Sequence, residues 1–479
     1  MDSDVIRNAE FPKDGSAAWL KLVAKSLKSA DFDKSLVFYT DDGLRIEPLY
    51  QRREARAPLS RVKAERGWTI VQRVDDVDPA RANRQAADDV ENGATGLAMV
   101  FEGAPNAFGY GLPSDPDSLA RALEGIALTK LHLRLDVHPQ SRMSVDWLVS
   151  LLATRKVDPA KIDFSLGIDP AAIFGGTGRL RMSIEALQAS MPQSLAHFFA
   201  LGAPGVLLEA DGRIYHNGGA TEAQELGAML ASAVAYFRMF EEARQPLVYA
   251  APHIGFALSV DQDQFLSIAK IRALRTLWIA AQEACSIPPS AARIHAETSF
   301  RMLSKLDAET NILRNTIAAF AAGVGGADTI SVLPHTVPHG LPDGFARRIA
   351  RNTQLILADE SHLDFVQDPA GGSGAIEALT ASLCEAAWSE FQRIESEGGM
   401  LASLSKGLFQ ERVGKARANL AEKYLAGERA IVGTTIFPAK AERPVSVLEA
   451  EQKPLPEDGI VFCERLPALR LDDLAGARA

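Results

Sequence analysis

The sequence predicts an α/β protein built on a (β/α)8 barrel, and three observations carry this prediction. From Gly96 onward, short β-rich runs alternate with longer segments of helical spacing. Eight such units follow one another over about 300 residues, which matches a barrel of this kind in number and length. No dinucleotide-binding glycine fingerprint follows the first run, which disfavours the competing doubly wound open sheet.

The eight predicted strands are short runs of β-forming residues. They cover residues 96–101, 131–137, 162–168, 205–210, 254–260, 292–298, 328–334 and 363–368. Between them, Asp261–Cys285 carries an apolar residue every three or four positions, as one face of a helix does. Asp307 is placed to cap the next helix and Gly323 to end it. The loops that follow the strands are therefore expected to form the functional face.

The chain divides into three parts around this barrel. Residues 1–65 are expected to form an N-terminal extension, since they include an amphipathic segment but none of the repeating units. Residues 66–427 are expected to form the barrel. Residues 428–479 begin rich in proline and are too short for a further domain, so we expect a tail or linker.

Composition limits the class of protein. The 479 residues are 47% hydrophobic with a formal net charge of -10, which favours a globular chain and opposes nonspecific binding to nucleic acid. The three cysteines lie far apart and form neither a disulfide framework nor a zinc motif. The acidic N-terminus lacks the apolar core of a secretory signal, and no apolar run reaches the length of a membrane span. We therefore expect a cytoplasmic protein with no nucleic-acid partner, no membrane partner and no metal.

Two motifs hold candidate site residues. RIHAETS places His295, Glu297 and Ser299 at alternate positions of a predicted strand, where they serve as acid and base or satisfy one another inside the barrel. Its H-x-E half matches the zinc deaminases, but the P-C-x-x-C half is missing, which excludes that interpretation. Residues 367–380, QDPAGGSGAIEALT, predict a strand, a glycine turn and a helix start. The amides of this turn either bind phosphate or only reverse the chain.

Three longer stretches closely resemble the acyl-CoA mutases that depend on adenosylcobalamin, chiefly methylmalonyl-CoA mutase. They are residues 66–76 (RGWTIVQRVDD), 293–336 and 341–380, and they include the specific elements RIARNTQ and DPAGGS. The resemblance implies a (β/α)8 barrel with an acyl-CoA threaded along its axis, and a separate C-terminal domain that carries cobalamin. It also implies a radical rearrangement that interconverts succinyl-CoA and methylmalonyl-CoA.

Four positions depart from the catalytic pattern of this family. Arg73 stands where the family has a tyrosine that helps break the Co–C bond and shields the radical. Ile214 replaces a histidine that bonds the thioester carbonyl, although His216 lies two residues further on. His253 replaces an arginine expected to bind the substrate carboxylate, and an imidazole does not form the two parallel bonds of a guanidinium. Phe300 replaces a glycine, and its ring is expected to obstruct the threaded pantetheine.

These departures predict a barrel without catalytic residues, in which His216, His295 and Glu297 are the residual candidates. The resemblance then implies a small, or β, subunit that forms a heterodimer with a homologous catalytic large subunit, and residues 1–65 are expected to contribute contacts to that subunit. That large subunit is expected to hold both adenosylcobalamin and the acyl-CoA, while this chain lacks the cobalamin domain and binds no cofactor. Residues 136–141, DVHPQS, approach the D-x-H-x-x-G motif of a cobalt ligand, but they end in serine and follow a barrel strand, so no cobalt ligand is expected.

Three other functions compete with this interpretation. The first is a catalytic barrel that works with a separate cobalamin-binding chain, which is expected to retain the tyrosine and histidine replaced by Arg73 and Ile214. The second is an unrelated aldolase or lyase that uses His295, Glu297 and the glycine turn. The third is a barrel that binds a CoA ester without converting it.

Overall fold

Eight parallel strands form a closed ring in the computed structural model of the chain. In chain order, β1 to β8 are Thr69–Val74, Gly96–Met99, His132–Leu135, Asp163–Leu166, Leu208–Asp211, Ile254–Val260, Arg293–Thr298 and Thr329–Ser331. They pair in the order β4-β3-β2-β1-β8-β7-β6-β5. Val206, just before β5, exchanges backbone hydrogen bonds with β4 and closes the ring. The predicted (β/α)8 barrel is confirmed, and the open sheet is wrong.

The structure describes residues 15–28, 30–52, 57–63, 67–200, 202, 204–242, 244–439 and 443–476. Parts of the predicted N-terminal extension, namely residues 1–14, 29, 53–56 and 64–65, lie outside the described residues. Residues 440–442 and 477–479 of the predicted C-terminal tail also lie outside them.

Helices connect the strands and cover the outside of the ring. They are Pro79–Glu91, Pro116–Ala122, Ser141–Thr154, Pro170–Thr177, Ile184–Ala200, Arg213–Asn217, Glu222–Glu242, Leu247–Ala250, Gln264–Ala284, Thr310–Gly325, Gly344–Leu355 and Gly374–Ser396. Several begin after an aspartate whose carboxylate accepts N–H groups of the first turn, as Asp78, Asp115, Asp169, Asp263 and Asp343 do. Across the described residues, every helix falls short of the length or apolar character that a membrane span requires.

The first strand of the barrel is Thr69–Val74, and the predicted eighth strand at residues 363–368 is wrong. Residues 363–368 form turns. Asp368 in this segment pairs with Arg272 and accepts the backbone N–H of Leu59, so its carboxylate ties the segment down outside the sheet. The sheet still has the predicted eight strands, because the apolar run at residues 69–74 supplies a strand in place of residues 363–368.

The helix Thr310–Gly325 begins as predicted but ends later. Asp307 accepts the backbone N–H of Thr310 at 3.2 Å. Gly323 was predicted to end the helix and instead lies inside it, where a Cβ would come within 3.2 Å of the Trp68 ring. The helix ends at Gly326, whose φ of 87° is the left-handed conformation that favours glycine.

Small residues on even-numbered strands leave room for long side chains on the odd-numbered ones. Ala98 on β2 lies beside Arg73 on β1, and Ser259 on β6 lies beside Glu297 on β7. A Cβ on Gly96 would approach the Thr69 methyl group to 2.9 Å. Barrel interiors usually hold Val, Ile and Leu at such positions. This interior is instead shaped for charged side chains.

The N- and C-terminal segments pack on the barrel. Before β1 lie helices Ser16–Leu27 and Phe32–Leu36 and a hairpin of Phe38–Tyr39 with Arg45–Ile46. After the barrel come helices Met400–Ser405, Leu408–Leu425 and Leu471–Leu474. Residues 447–472, here called the C-terminal strap, pair with the loops that follow the strands, at residues 341–342, 109, 175, 178–180, 217 and 301. The strap therefore runs around the rim of the face where barrels carry their sites.

Candidate functional site in the barrel interior

Arg73 extends from β1 into the barrel and pairs with Glu297 on β7. Its Nη1 lies 2.9 Å from Glu297 Oε2, and β8 separates the two strands in the ring, so the contact crosses the interior. Arg73 also donates to Asp75 at 3.2 Å and to the backbone oxygen of Asn106 at 2.7 Å. Only 3% of Arg73 is exposed. Each of the three guanidinium nitrogens of Arg73 therefore donates to another group of the protein.

Further ion pairs fill the axis beside this one. Arg134 on β3 reaches Glu209 on β5 at 2.5 Å and Asp136 at 3.1 Å. Arg213, which follows β5, bonds Asp136 and lies 2.6 Å from Asp211. We call the whole set the axial ion network; it comprises Arg73, Arg134, Arg213 and Arg347 with Asp75, Asp136, Glu209, Asp211 and Glu297. All nine are buried.

Opposite charges of the network hold Arg73 and Asp136 in the ionised form, whereas burial raises the pKa of Glu209 in spite of Arg134. Burial disfavours a charged Arg73, but Glu297, Asp75 and Asp136 outweigh it and raise the pKa of Arg73. Burial likewise disfavours the carboxylate of Asp136, yet Arg213 and Arg134 bring its pKa well below the usual range. Buried charges are stable only as long as their partners are present. The network therefore behaves as one filled core rather than as a set of groups available to a substrate.

Apart from Arg73 and Glu297, the seven other members of the network were missed in the sequence, although a signal is present for four of them. LHLRLDV places Arg134 and Asp136 two residues apart inside an apolar run, and GVLLEAD does the same with Glu209 and Asp211. Because strand side chains alternate between faces, two charged residues at this spacing lie on the same face of the strand. The apolar residue between them lies on the opposite face. Arg213 follows directly and has no periodic signal of its own.

Phe300 lies at the C-terminal mouth of the barrel, just after β7. This is a position from which its ring could obstruct a pantetheine threaded along the axis. Its ring stacks on Phe108 with centroids 4.2 Å apart and planes inclined by 13°. The Arg73 guanidinium lies 5.6 Å from the Phe108 ring. The two rings thus cover the network from above.

The structure does not bring together all four positions that depart from the catalytic pattern, namely Arg73, Ile214, His253 and Phe300. Ile214 is buried in a small apolar cluster with Val137, Ala172 and Ile173, and the neighbouring Arg213 reaches the network instead. His253 precedes β6 and so lies at the N-terminal end of that strand, opposite the Phe300 mouth. Its Nδ1 is 2.7 Å from the Gly205 oxygen, and burial lowers its pKa. Of the four, Arg73 and Phe300 border the same space.

The residual candidates contact other protein groups, although His216 Nδ1 and His295 Nε2 have no hydrogen-bond partner. The Glu297 carboxylate pairs with Arg73 at 2.9 Å and with Arg213 at 3.3 Å. His216 is fully buried, with Nε2 2.9 Å from Ser299 Oγ and Nδ1 3.3 Å from Glu225. His295 lies nearer the N-terminal end of β7 and bonds the Thr329 hydroxyl at 2.7 Å. Burial lowers the pKa of both imidazoles. The predicted acid–base pair of His295 and Glu297 is therefore not assembled.

A cavity of about 520 Å3 opens at the N-terminal end of the barrel. Glu209 and His295 line it, and Lys63, Lys130 and Arg293 stand around it. Glu209 is a member of the axial ion network. A ligand that entered from this end would meet the network before it reached Phe300.

The residues present do not fit a cobalt ligand or a phosphate site. Both ring nitrogens of His138 are engaged, Nε2 with Glu102 O at 3.0 Å and Nδ1 with Gln140 N at 3.1 Å, and burial lowers the pKa of His138 to about 4. In the glycine turn, Gly372 N bonds Glu377, whose carboxylate also pairs with Arg272 at 2.6 Å. Among the described residues, no cluster of His, Cys, Asp and Glu is arranged to hold a metal ion.

Comparison with known proteins gives one consistent result. The family model described as methylmalonyl-CoA mutase matches residues 54–470. A methylmalonyl-CoA mutase small subunit of Streptomyces virginiae is 37% identical over 97% of this chain and 76% of its own length. A small subunit of Propionibacterium freudenreichii subsp. shermanii is 32% identical over 93% of this chain and 71% of its own. A probable small subunit of Mycobacterium tuberculosis (strain H37Rv) is 40% identical over 68% of this chain, which spans 53% of that relative.

Proposed function

The chain belongs to the methylmalonyl-CoA mutase family, and from this premise we propose that it is a small, non-catalytic subunit of a heterodimeric mutase. In this proposal a homologous large subunit binds adenosylcobalamin and the acyl-CoA, and interconverts methylmalonyl-CoA and succinyl-CoA. This chain binds neither and stabilises the fold of its partner. The complex works in the cytoplasm, in propionate metabolism.

The filled barrel axis is the observation that carries the proposal. A threaded acyl-CoA needs an open axis, whereas Arg73, Glu297 and Arg213 meet there at 2.9 and 3.3 Å. To admit a substrate, the protein would have to separate several buried ion pairs, and each separation leaves uncompensated charges at a cost of about 3 to 5 kcal/mol. The binding free energy of the substrate would therefore be offset by the separation of these ion pairs before any reaction took place.

The N-terminal extension supplies candidate contacts for the large subunit. None of the side chains in the helix Ser16–Leu27 is buried, and Leu20 and Leu22 are 48% and 64% exposed. Apolar side chains held on an ordered helix favour a protein partner. Homologous subunits commonly bury a large, nearly two-fold interface.

Co-expression with the large subunit tests this role. We expect the two chains to purify together at one to one, and the large subunit to be more soluble, more heat-stable and more active than alone. Leu20→Glu and Leu22→Glu should each weaken association by about tenfold or more, since each places a charge in an apolar contact. Val248→Glu is the matched control, because Val248 is 47% exposed outside the extension.

Two results would overturn the proposal. One is a large subunit whose solubility, heat stability and activity do not change when this chain is present. The other is mutase activity of this chain with a separate cobalamin-binding protein, which would make it the catalytic half of a split enzyme. An activity on a phosphorylated substrate without cobalamin would point to an unrelated enzyme instead.

A further inference from the structure

A cleft opens to solvent beside the C-terminal end of β6, outside the barrel axis. Its volume is about 480 Å3, and it lies between the N-terminal hairpin, the starts of two barrel helices and the helix Leu408–Leu425. None of the nine side chains of the axial ion network lines it. Its inner wall carries Glu222, Asp261 and Arg301, which are all buried, with Glu222 only 6% exposed. The polar groups of this wall therefore belong to the interior of the protein.

Four acidic groups around the cleft are accounted for by the fold. Asp42 and Asp263 each accept a backbone N–H group in the first turn of a helix, at 3.1 and 3.2 Å. The carboxylates of Asp41 and Glu225 each pair with a lysine, at 2.8 and 2.7 Å. These four groups have their partners within the chain.

Two further carboxylates, those of Glu222 and Asp261, are not fully satisfied. Glu222 accepts no side-chain or backbone hydrogen bond from the described part of the chain, and its one ion pair is with Arg301 Nη2 at 3.6 Å. Asp261 Oδ1 accepts two hydrogen bonds, but its Oδ2 lies 3.7 Å from the same Arg301 nitrogen. Arg301 is itself held by Nη1, which donates to the Ala220 oxygen at 2.9 Å. Both carboxylates thus face one guanidinium from beyond hydrogen-bond distance.

The charges of this wall leave one negative charge in excess. Within the described ranges, Arg301 is the one permanent cation that lies within 4.0 Å of Glu222 or Asp261. His216 lies 4.0 Å from Asp261, but burial lowers the pKa of His216 well below its usual range and keeps the ring neutral. Two carboxylates therefore share a single positive charge.

The pKa of Glu222 agrees with this balance. Burial raises it to about 8, while Lys270 and Arg301 act to lower it and Asp261 and Asp42 act to raise it. At pH 7, Glu222 therefore holds a proton as long as no further cation is near. A cation that bound beside Glu222 would displace this proton.

Two other polar groups of the cleft lack a partner. The Oε1 atom of Gln262 is buried and accepts no hydrogen bond. Tyr424 is buried, and its hydroxyl makes no hydrogen bond with a described residue. Carboxylate, amide and hydroxyl oxygens all accept hydrogen bonds. Unpaired acceptors around one excess negative charge favour a cation that carries N–H groups.

The remainder of the cleft favours an organic cation over a metal ion. The described acidic residues here do not form a group arranged to hold a metal, and a divalent ion would exceed the single charge to be balanced. Leu266, Leu420 and Leu471 also line the cleft, and all three are buried. They offer apolar contacts to a short alkyl chain.

We propose that this cleft binds a small aliphatic amine in its ammonium form, with the ammonium group between Glu222, Asp261 and Gln262. The three N–H groups of a primary ammonium match the unpaired oxygens. Its single charge balances the two carboxylates that share Arg301. The alkyl chain lies against Leu420. The site does not depend on the proposed subunit role, since it lies outside the axial ion network.

Calorimetry and methyl NMR on the full chain test the site with butylamine. We expect saturable binding with a Kd of about 1 mM, which a ligand of this size can supply. The methyl signals of Leu420 and Leu471 should shift, but not that of Met302 in the barrel. Binding at pH 7 should release protons, because the ammonium group displaces the proton of Glu222. Butanol and tetramethylammonium should each bind about tenfold more weakly or less, since one lacks the charge and the other lacks N–H groups.

Variants test the carboxylate contact. Glu222→Gln should weaken butylamine about tenfold or more and abolish the proton release, and it keeps the shape of the protonated side chain. Glu241→Gln is the matched control and should change neither, because Glu241 is exposed on the same helix and lies outside the cleft. Ala430→Trp, at an exposed position of the cleft wall, should obstruct the cleft and abolish binding without disturbing the core.

Several results would each overturn the proposal. They are a lack of saturation up to about 10 mM butylamine, equal binding of butanol or tetramethylammonium, binding without proton release, and unchanged affinity of Glu222→Gln. Displacement of butylamine by millimolar Mg2+ would also overturn it and assign the cleft to a metal ion instead.

Discussion

Arg73 and Glu297 meet across the barrel axis at 2.9 Å, although 224 positions separate them in the chain. Both side chains are buried, and each also touches a second group of opposite charge, Asp75 for Arg73 and Arg213 for Glu297. Such a pair closes the axis while both partners are present. If only one is removed, the other remains as an uncompensated charge in the interior.

A double-mutant cycle on this pair measures the coupling. Arg73→Met and Glu297→Gln should each lower the free energy of unfolding by about 3 kcal/mol or more, because each leaves a buried charge underpaired. The double variant should lose about 1 to 3 kcal/mol less than the sum of the two. Urea unfolding followed by circular dichroism supplies the values. Additive losses would mean that the two charges do not interact.

Asp136 should be the most sensitive position of the axial ion network. It lies within 4.0 Å of three arginines, namely Arg73, Arg134 and Arg213. Asp136→Asn removes the shared negative charge, and we expect a loss of about 3 to 5 kcal/mol in unfolding free energy. Asp117→Asn on the exposed side of a helix is the control and should change stability by less than about 0.5 kcal/mol. Equal effects of the two substitutions would contradict the assignment.

Phe300→Gly places at the mouth the glycine that the family resemblance implies, and we expect it not to permit substrate binding. The Arg73–Glu297 pair remains beneath the ring position, so we expect no heat of binding with methylmalonyl-CoA. Loss of the ring stacked on Phe108 should destabilise the protein by about 3 kcal/mol or more. Phe365→Gly, at a ring that is 75% exposed, should cost much less. Tight binding by Phe300→Gly would show that the ring alone closes the axis.

His138 should make the protein sensitive to acid. Burial lowers its pKa in the folded state to about 4, whereas in the unfolded chain it is near 6.5. The unfolded chain therefore takes up the proton first, and the contribution of His138 is complete above pH 6.5 and is lost as the pH falls toward 4. The loss is on the order of 3 kcal/mol.

The reference variant for this prediction is His138→Gln, which does not titrate. The stability difference between the wild-type protein and His138→Gln, from thermal unfolding at pH 4.5 to 7.5, should shrink steadily below pH 6.5. A difference that stays constant over this range would mean that His138 is not neutral and buried in the folded protein.

The fold could be predicted because it depends on local signals that repeat. Apolar runs and helical spacing recur along the chain, and their number indicates the barrel. Residues 363–368 show the limit of such patterns, because a β-rich run becomes a turn once Asp368 binds Arg272. The run at 69–74 enters the sheet instead, since β8 and β2 both offer it backbone partners.

The site could be predicted only in part, because its content depends on contacts between distant segments. Arg73 and Phe300 stood out against the pattern of a known family, and both border the axis. His253 stood out in the same way, yet it lies at the opposite end of β6. Neither Arg134 nor Arg213 was singled out from the sequence, and their part in filling the axis follows from the geometry.

The most direct test of a filled axis is calorimetric titration of methylmalonyl-CoA into this chain by itself. We predict no saturable binding up to about millimolar concentration, corresponding to a binding free energy weaker than about -4 kcal/mol. Saturable one-to-one binding at micromolar concentration, abolished by Glu297→Gln, would contradict the account, because the axial ion network would then be opening for a substrate.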